Sequence, residues 1–363
     1  MKIAIDATIL EYDGRGISKA TVAFYQNLKK VYPDVELFLL QKKELVTDFF
    51  VEHTKIQSPG YMSDEVSLKS YFPQKLKELK IDFVHFPFNG IHVEYFKSVR
   101  PNIKTISTIH DIIPAMIPEV YHLSDSDVKK YLDDVQMRID HTDILLTISE
   151  CAKNDLTTYL KLKTNPVVIY NSYFSKMPSN KQNKIGDYFL YNGGYCPRKG
   201  IEILVDNFLQ LKFRVLLKSK LVLTGEVQKI SDRCRALIEY GLSRGWIIET
   251  GYIPDEELFN LFMNAKALVY LSKYEGFGLP PLEAMNLGCP VITTALSSLP
   301  EVCADAVYYV NRNDDEDIAC ALIDLEKNQE IRNSFIQKGK IQAQKFSWEK
   351  SVEKFICELK KGV

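Results

Sequence analysis

Short apolar runs alternate with amphipathic runs of helical period from one end of the chain to the other. Runs at 2–7, 35–40, 82–86, 104–109, 143–148 and 167–170 have the length of strands buried in a parallel sheet. The stretches between them repeat apolar positions at helical spacing, and the alternation predicts doubly wound α/β architecture. From 172 to 187 the pattern stops; this segment is polar, has no period and contains Pro178 and Gly186, as a linker would. A second series follows at 188–191, 220–224, 246–249, 267–271, 290–293 and 307–310. Two Rossmann-like domains facing each other across a cleft are therefore expected, 1–175 and 187–346, joined by a linker at 176–186. A chain of 363 residues is also longer than one hydrophobic core usually organises. A last helix over 347–363 begins with Ser347 as its N-cap.

Composition narrows the partners. A net charge of -1 provides no overall basic field for nucleic acid. The seven cysteines are scattered, odd in number and form no C-x-x-C pair, which fits a reduced cytoplasmic setting without a zinc site. Residues 1–7 are too quickly acidic for a signal peptide and read as a first buried strand. No apolar run approaches the ~20 residues needed to cross a bilayer. Any membrane contact is expected to be peripheral, at the inner face.

The most informative segment runs from Tyr274 to Met285, Y-E-G-F-G-L-P-P-L-E-A-M. Glu275 follows the apolar run 267–271, in the loop leaving a strand's carboxyl end, where open α/β sheets bind ligands. Gly276 and Gly278 let backbone N–H groups come close to a ligand. Pro280 and Pro281 suit the first turn of a helix, whose positive end can meet phosphate. Glu283 is expected in that first turn, where an acid can equally serve only to complement the helix dipole.

A second glycine turn, Asn192-Gly193-Gly194-Tyr195-Cys196-Pro197-Arg198-Lys199-Gly200, follows the run 188–191 and sets two cations at a helix start. Such a pair can neutralise a diphosphate or remain a solvated basic turn. Gly225, and the pair Tyr252 and Ile253, stand at two further strand exits that could meet a nucleobase through the backbone. In the first domain Gly14 and Gly16 form a G-x-G without its third glycine, open to a phosphate or a plain turn reading. His110 and Asp111 fall just past the run 104–109, where a binding or proton-handling role is open. His53, His85, His92, His122 and His141 show no metal-ligand spacing, and Asp125-Ser126-Asp127 reads as a helix cap. Serine-nucleophile, Walker and H-E-x-x-H motifs are absent.

These residues resemble the retaining glycosyltransferases of family 4 with the GT-B fold, which use nucleotide sugars. The likeness covers nearly the whole chain and is strongest from Tyr188 onward. Glu275 to Ile292 is similar to that family's E-x7-E signature and its sequel, as is Ser297-Ser298-Leu299-Pro300-Glu301-Val302. The resemblance implies that Glu275 meets the donor sugar's hydroxyls and Glu283 the ribose. It further implies that Gly276, Phe277, Gly278 and Leu279 offer backbone to sugar and phosphates. By the same resemblance Arg198 and Lys199 neutralise the diphosphate, Gly14 and Gly16 form a phosphate loop, and His110 stands near the sugar. Asp111 and Asn89 fall on the implied acceptor side, and the helix 347–363 is expected to return to the first domain. The chain departs from the pattern at Gly200, where asparagine is frequent, and at Ala304 and Ser18, where glycine is common.

The implied reaction is a metal-independent hexosyl transfer with retention and no cofactor beyond the nucleotide-sugar donor. Segments 3–7, 86–89 and 108–114 resemble mannosyltransferase-like members, so GDP-mannose is the first expected donor, ahead of a UDP-sugar. The expected acceptor is a lipid-linked or growing glycan of surface polysaccharide biosynthesis. Two rival readings remain: a nucleotide-sugar epimerase or phosphorylase of the same fold, and a catalytically silent glycan-binding subunit.

Overall fold

A computed structural model describes residues 1–7, 16–41, 54–57, 70–88, 103–173, 185–194, 196–226 and 230–361. The chain divides into two compact units, Met1–Ser172 with Ser347–Val363, and Tyr173–Phe346. Among the described residues unit 1 contains seven parallel strands: β1 Lys2–Asp6, β2 Glu36–Gln41, β3 Thr54–Gln57, β4 Phe83–Phe86, β5 Lys104–Thr108, β6 Ile144–Thr147 and β7 Val167–Val168. Their order across the sheet is β3-β2-β1-β4-β5-β6-β7. The order reverses between β1 and β4, the kind of switch point beside which open α/β sheets leave a ligand crevice.

Unit 2 repeats this plan with β8 Tyr188–Asn192, β9 Lys220–Thr224, β10 Ile247–Gly251, β11 Ala267–Tyr270, β12 Val291–Thr294 and β13 Tyr308–Val310. Its order is β10-β9-β8-β11-β12-β13, all parallel, with the switch between β8 and β11. Phe189, Tyr191, Leu221, Leu223, Val269 and Ile292 form its core with Leu204 and Phe208 of the helix Ile201–Phe213. Strands packed on both faces need near-continuous apolar runs, and this made them readable from sequence.

In unit 1 the helix Trp348–Lys361 lies against the helix Gly16–Val31. The Phe24 ring stands edge-on to Trp348 at 6.3 Å and to Phe355 at 5.2 Å. Ser351 Oγ donates to the Tyr170 carbonyl at 2.6 Å, tying the helix to the segment after β7.

Several local expectations change. The helix after β1 begins at Gly16, the second glycine of the expected G-x-G turn. Strand β3 has no counterpart in the apolar runs. Asp125-Ser126-Asp127, read as a cap, forms the first turn of a helix that runs from Asp125 to Asp140; Ser124 is its N-cap and Asp127 completes a capping box. The helix after Glu275 begins at Leu279 and ends at Asn286, with Gly278 at its N-cap. Glu283 therefore occupies the fifth helical position and not the first turn, because the chain turns helical one residue before the prolines. A role as a first-turn dipole acid falls away with that register. Gly14, Asn89 and residues 176–184 of the expected linker lie outside the described residues.

Candidate active site

The site in unit 2 is built from the loops that leave the carboxyl ends of four strands. The exits of β10 and β9 are joined by Gly225 N–H donating to the Gly251 carbonyl at 2.9 Å. The exits of β9 and β8 press together so closely that a Cβ on Gly225 would lie 2.6 Å from Gly194 N. Between β8 and β11, Lys273 N–H donates to the Arg198 carbonyl at 2.8 Å. Gly200, at φ 77, caps the helix Ile201–Phe213, and a Cβ there would sit 2.4 Å from the Leu271 carbonyl oxygen. Glycine is thus the residue that lets the Arg198-Lys199 turn reach the Glu275 loop.

Glu275 is 8% exposed and held on several sides. Its Oε1 accepts hydrogen bonds from the hydroxyls of Tyr270 and Ser272, each at 2.7 Å. The same oxygen lies 2.6 Å from Arg198 Nη1. Arg198 Nη1 also donates to the Tyr274 carbonyl. Below the carboxylate, Glu275 N–H donates to Ser297 Oγ at 2.8 Å, and Ser298 Oγ bonds the carbonyls of Glu275 and Phe277 at 2.9 and 2.8 Å. Among the described residues Oε2 receives no hydrogen bond, so the carboxylate is fixed through one oxygen while the other can meet a ligand hydroxyl.

Lys199 places Nζ 5.9 Å from the Tyr270 ring centroid. Burial pulls its pKa below the usual lysine value, and Glu275 opposes that pull. Tyr270 is pushed well above the usual phenol value, first by burial and then by the Glu275 charge. It therefore remains a hydrogen-bond donor to Glu275. Gly278 adopts φ 105, which turns the chain from Gly276 and Phe277 into the helix that begins at Leu279. Glu283 is 9% exposed on that helix. Tyr252 is exposed and Ile253 half-buried just beyond β10.

Unit 1 holds the remaining expected residues. His110 is buried, and its Nε2–H donates to the Pro87 carbonyl at 2.8 Å, which leaves Nδ1 as the acceptor of the neutral ring. Burial lowers its pKa, with the Pro87 bond opposing. His110 lines a pocket together with Thr21, Phe24, Tyr25, His85 and Thr108. Asp111 uses Oδ1 to accept from Ile113 N–H at 3.1 Å, which fastens the start of the short helix Ile113–Met116. Gly16 begins its helix with open space where a Cβ would stand.

Two groups of partners were not foreseen. Tyr270, Ser272, Ser297 and Ser298 hold Glu275; Tyr270 is hidden in sequence because it ends an apolar strand, whereas the Ser297-Ser298 pair was visible in the motif's sequel. In unit 1 the Tyr25 hydroxyl bonds His85 Nδ1, and His85 Nε2 lies 2.8 Å from Thr108 Oγ1. Burial drives His85 down to about 3, with His110 adding to the shift, so its ring is neutral.

Paired doubly wound units, one carrying a cation–carboxylate cluster on the carboxyl edge of its sheet, are the build of a GT-B glycosyltransferase. Residues 174–342 match the family described as glycosyl transferases group 1, and the chain belongs to that family. It is 31% identical over 258 residues to O-antigen chain mannosyltransferase B of Escherichia coli, covering 68% of this chain and 67% of the relative. It is 28% identical to the serotype-specific mannosyltransferase WbdA of Escherichia coli over 68% of this chain. That match spans only 32% of WbdA, about a third of the relative's length. Sucrose-phosphate synthase from Thermosynechococcus elongatus shares the fold with a TM-score of 0.76 at 18% identity, covering 99% of this chain and 98% of that one. Among the described residues no helix is long and apolar enough to cross a membrane.

Proposed function

We propose that this glycosyltransferase moves a hexose, mannose from GDP-mannose in the first instance, to a hydroxyl of a glycan or glycolipid acceptor in surface polysaccharide biosynthesis, with retention at the anomeric carbon. The observation that carries the reading is Glu275 itself, buried and anchored through Oε1 by Tyr270, Ser272 and Arg198, with no hydrogen bond to Oε2 among the described residues. A carboxylate fixed in this way is preorganised to meet sugar hydroxyls without reorienting when the substrate binds. The mannosyltransferase relatives favour mannose as the sugar.

Breaking the anomeric bond generates an oxocarbenium-like sugar and a leaving nucleoside diphosphate with added negative charge. Lys199 supplies the compact cation beside the Glu275 loop, Arg198 shares its charge with Glu275, and the amino end of the helix Leu279–Asn286 adds its dipole. Glu283, buried on that helix, is assigned to the ribose. The leaving phosphate takes the acceptor's proton in a front-face displacement, so neither a metal nor a second carboxylate is required. His110 serves the acceptor side through Nδ1.

The test is incubation with a panel of GDP- and UDP-sugars, reading released nucleotide and thermal stabilisation, followed by NMR of the product's anomeric centre. GDP-mannose should be preferred and the configuration retained. Preference for a UDP-sugar overturns the donor assignment, and an inverted product overturns the mechanism. Nucleotide release unchanged by EDTA is expected of a metal-independent enzyme, and loss of activity in the chelator contradicts it.

A further inference from the structure

Unit 1 holds a group of buried polar side chains that donor binding leaves unused. Tyr25, on the helix Gly16–Val31, bonds His85 Nδ1 on β4, and His85 Nε2 lies 2.8 Å from Thr108 Oγ1 at the end of β5. His110 follows β5 and Asn171 follows β7. All five residues line one pocket. His110 and Asn171 are only 8% and 9% exposed, so any polar atom of theirs that the protein leaves unbonded is costly unless something else meets it.

The direction of each proton follows from the geometry. Tyr25 is fully buried, and burial pushes its hydroxyl well above the usual phenol value, so it keeps its proton. The neutral His85 ring carries a single N–H. The Tyr25 hydroxyl has no other acceptor among the described residues, so it donates to His85 Nδ1. The ring's own proton then sits on Nε2 and is donated to Thr108 Oγ1. The opposite tautomer would strand the Tyr25 proton in the core. Thr108 Oγ1 therefore accepts from the protein, and its own proton finds no acceptor among the described residues. His110 presents the complement: its Nε2–H is spent on the Pro87 carbonyl, and Nδ1 accepts. The Asn171 amide has no hydrogen-bond partner among the described residues and adds both a donor and an acceptor.

The pocket is also uncharged. No lysine, arginine, aspartate or glutamate is among the described residues that line it, and burial keeps both its histidines neutral. Phe24, Ile148 and Ile169 give it apolar walls. A phosphate or carboxylate entering here would lose its hydration without meeting a counter-charge. Apolar walls with a few fixed hydrogen-bonding groups suit a hydroxyl on a short carbon arm.

Resting on the transferase reading above, we propose that Thr108, His110 and Asn171 hold one uncharged hydroxylated arm of the acceptor sugar, with Tyr25 and His85 as positioning residues that point the Thr108 proton at it. The acceptor unit seated in unit 1 is then a neutral glycoside and not a sugar phosphate or a uronate.

The full-length chain is titrated, without donor, with the methyl α-glycosides of mannose, glucose and galactose, with monodeoxy analogues of the one that binds best, and with a phosphorylated mannose, using ligand-observed NMR. Saturable binding of a neutral glycoside is expected, about tenfold or more weakened in one deoxy analogue and in the phosphorylated sugar. Thr108→Val should lower glycoside affinity about tenfold, and Thr108→Ser should restore it. The variant should also bind the parent glycoside and the sensitive deoxy analogue equally, whereas a merely structural defect weakens both in proportion. Tyr25→Phe leaves the His85 tautomer unfixed and should narrow the same discrimination. Asn171→Ala should weaken the glycoside as well. Absence of saturable binding by all three glycosides, equal or tighter binding of the phosphorylated sugar, or full discrimination kept by both Thr108→Val and Tyr25→Phe overturns the proposal. Thermal stabilisation by GDP-mannose is measured on the same proteins; if Thr108→Val loses it while glycoside binding is kept, the pocket reads the transferred sugar and the acceptor assignment is overturned. Nucleotide release is read separately, so a chain that binds no glycoside yet releases nucleotide contradicts this pocket alone, and one that releases nucleotide from no sugar donor contradicts the transferase reading.

Discussion

Arg198 Nη1 and Glu275 Oε1 lie 2.6 Å apart, although their residues are 77 positions apart in sequence and leave different strands. With the two side chains only 13% and 11% exposed, the pair is a buried one, and removing either member strands the other charge. Glu275→Ala should therefore lose stability as well as activity, by about 3–5 kcal/mol. Glu275→Gln keeps an oxygen acceptor for the Tyr270 and Ser272 hydroxyls and should lose less stability. Its nucleotide release should still fall about 10²–10³-fold, as when a preorganised electrostatic group is removed. Chemical denaturation and initial rates measured on both variants separate the two effects.

Lys199 gives a pH prediction. Burial lowers its folded pKa, so its charge is present at low pH and is lost as pH rises through a value below that of an ordinary lysine. The alkaline limb of kcat/KM should accordingly begin below the usual lysine range. Lys199→Arg, which remains charged, should move that limb upward even if its maximum rate is lower. A limb unmoved by the substitution would place the titration elsewhere.

His85 gives a second, for stability. Its folded pKa is about 3, whereas an unfolded histidine titrates near 6.5, so between these values the unfolded chain binds the extra proton. Stability contributed by the neutral ring is full above about pH 6.5 and drains as pH falls, by roughly 1.4 kcal/mol per pH unit within the window. His110, also lowered by burial, acts in the same direction. Melting temperature should fall on acidification below that point. His85→Gln should flatten the slope while lowering stability at neutral pH, because the Tyr25 hydroxyl is left with an altered partner.

Ala304 stands where the family's glycine is common, and its backbone explains the preference: φ is 48 and ψ -128 at the end of the helix Leu299–Cys303. An alanine held there costs about 1–3 kcal/mol of backbone strain. Ala304→Gly should raise the melting temperature by a few degrees with donor turnover unchanged. An unchanged or lower melting temperature would contradict the strain assignment.

Legibility followed the physics of each element. The strands of unit 2 could be read because burial on both faces demands continuous apolar runs, and within such a frame the spacing marked Arg198, Lys199 and Glu275, which the structure brings together. Strand β3, Thr54–Gln57, has only four residues and edges its sheet, so its composition carries no such signal. The register of Glu283 was missed because paired prolines mark a helix start only to within a residue; Gly278, in the left-handed conformation, sets the actual one. The Tyr25–His85–Thr108 chain joins residues 60 and 23 positions apart, and a contact of that range leaves no periodic trace.

The most direct test of the central claim is nucleotide release from GDP-mannose by the purified chain and by Glu275→Gln, with folding checked by melting temperature. The wild-type chain should release GDP and be stabilised by the donor. The folded variant should lose turnover by at least two orders of magnitude, on the scale of a lost electrostatic group. Equal turnover by the two folded proteins, or no release from any nucleotide sugar, would contradict the assignment of Glu275 as the group that holds the transferred sugar.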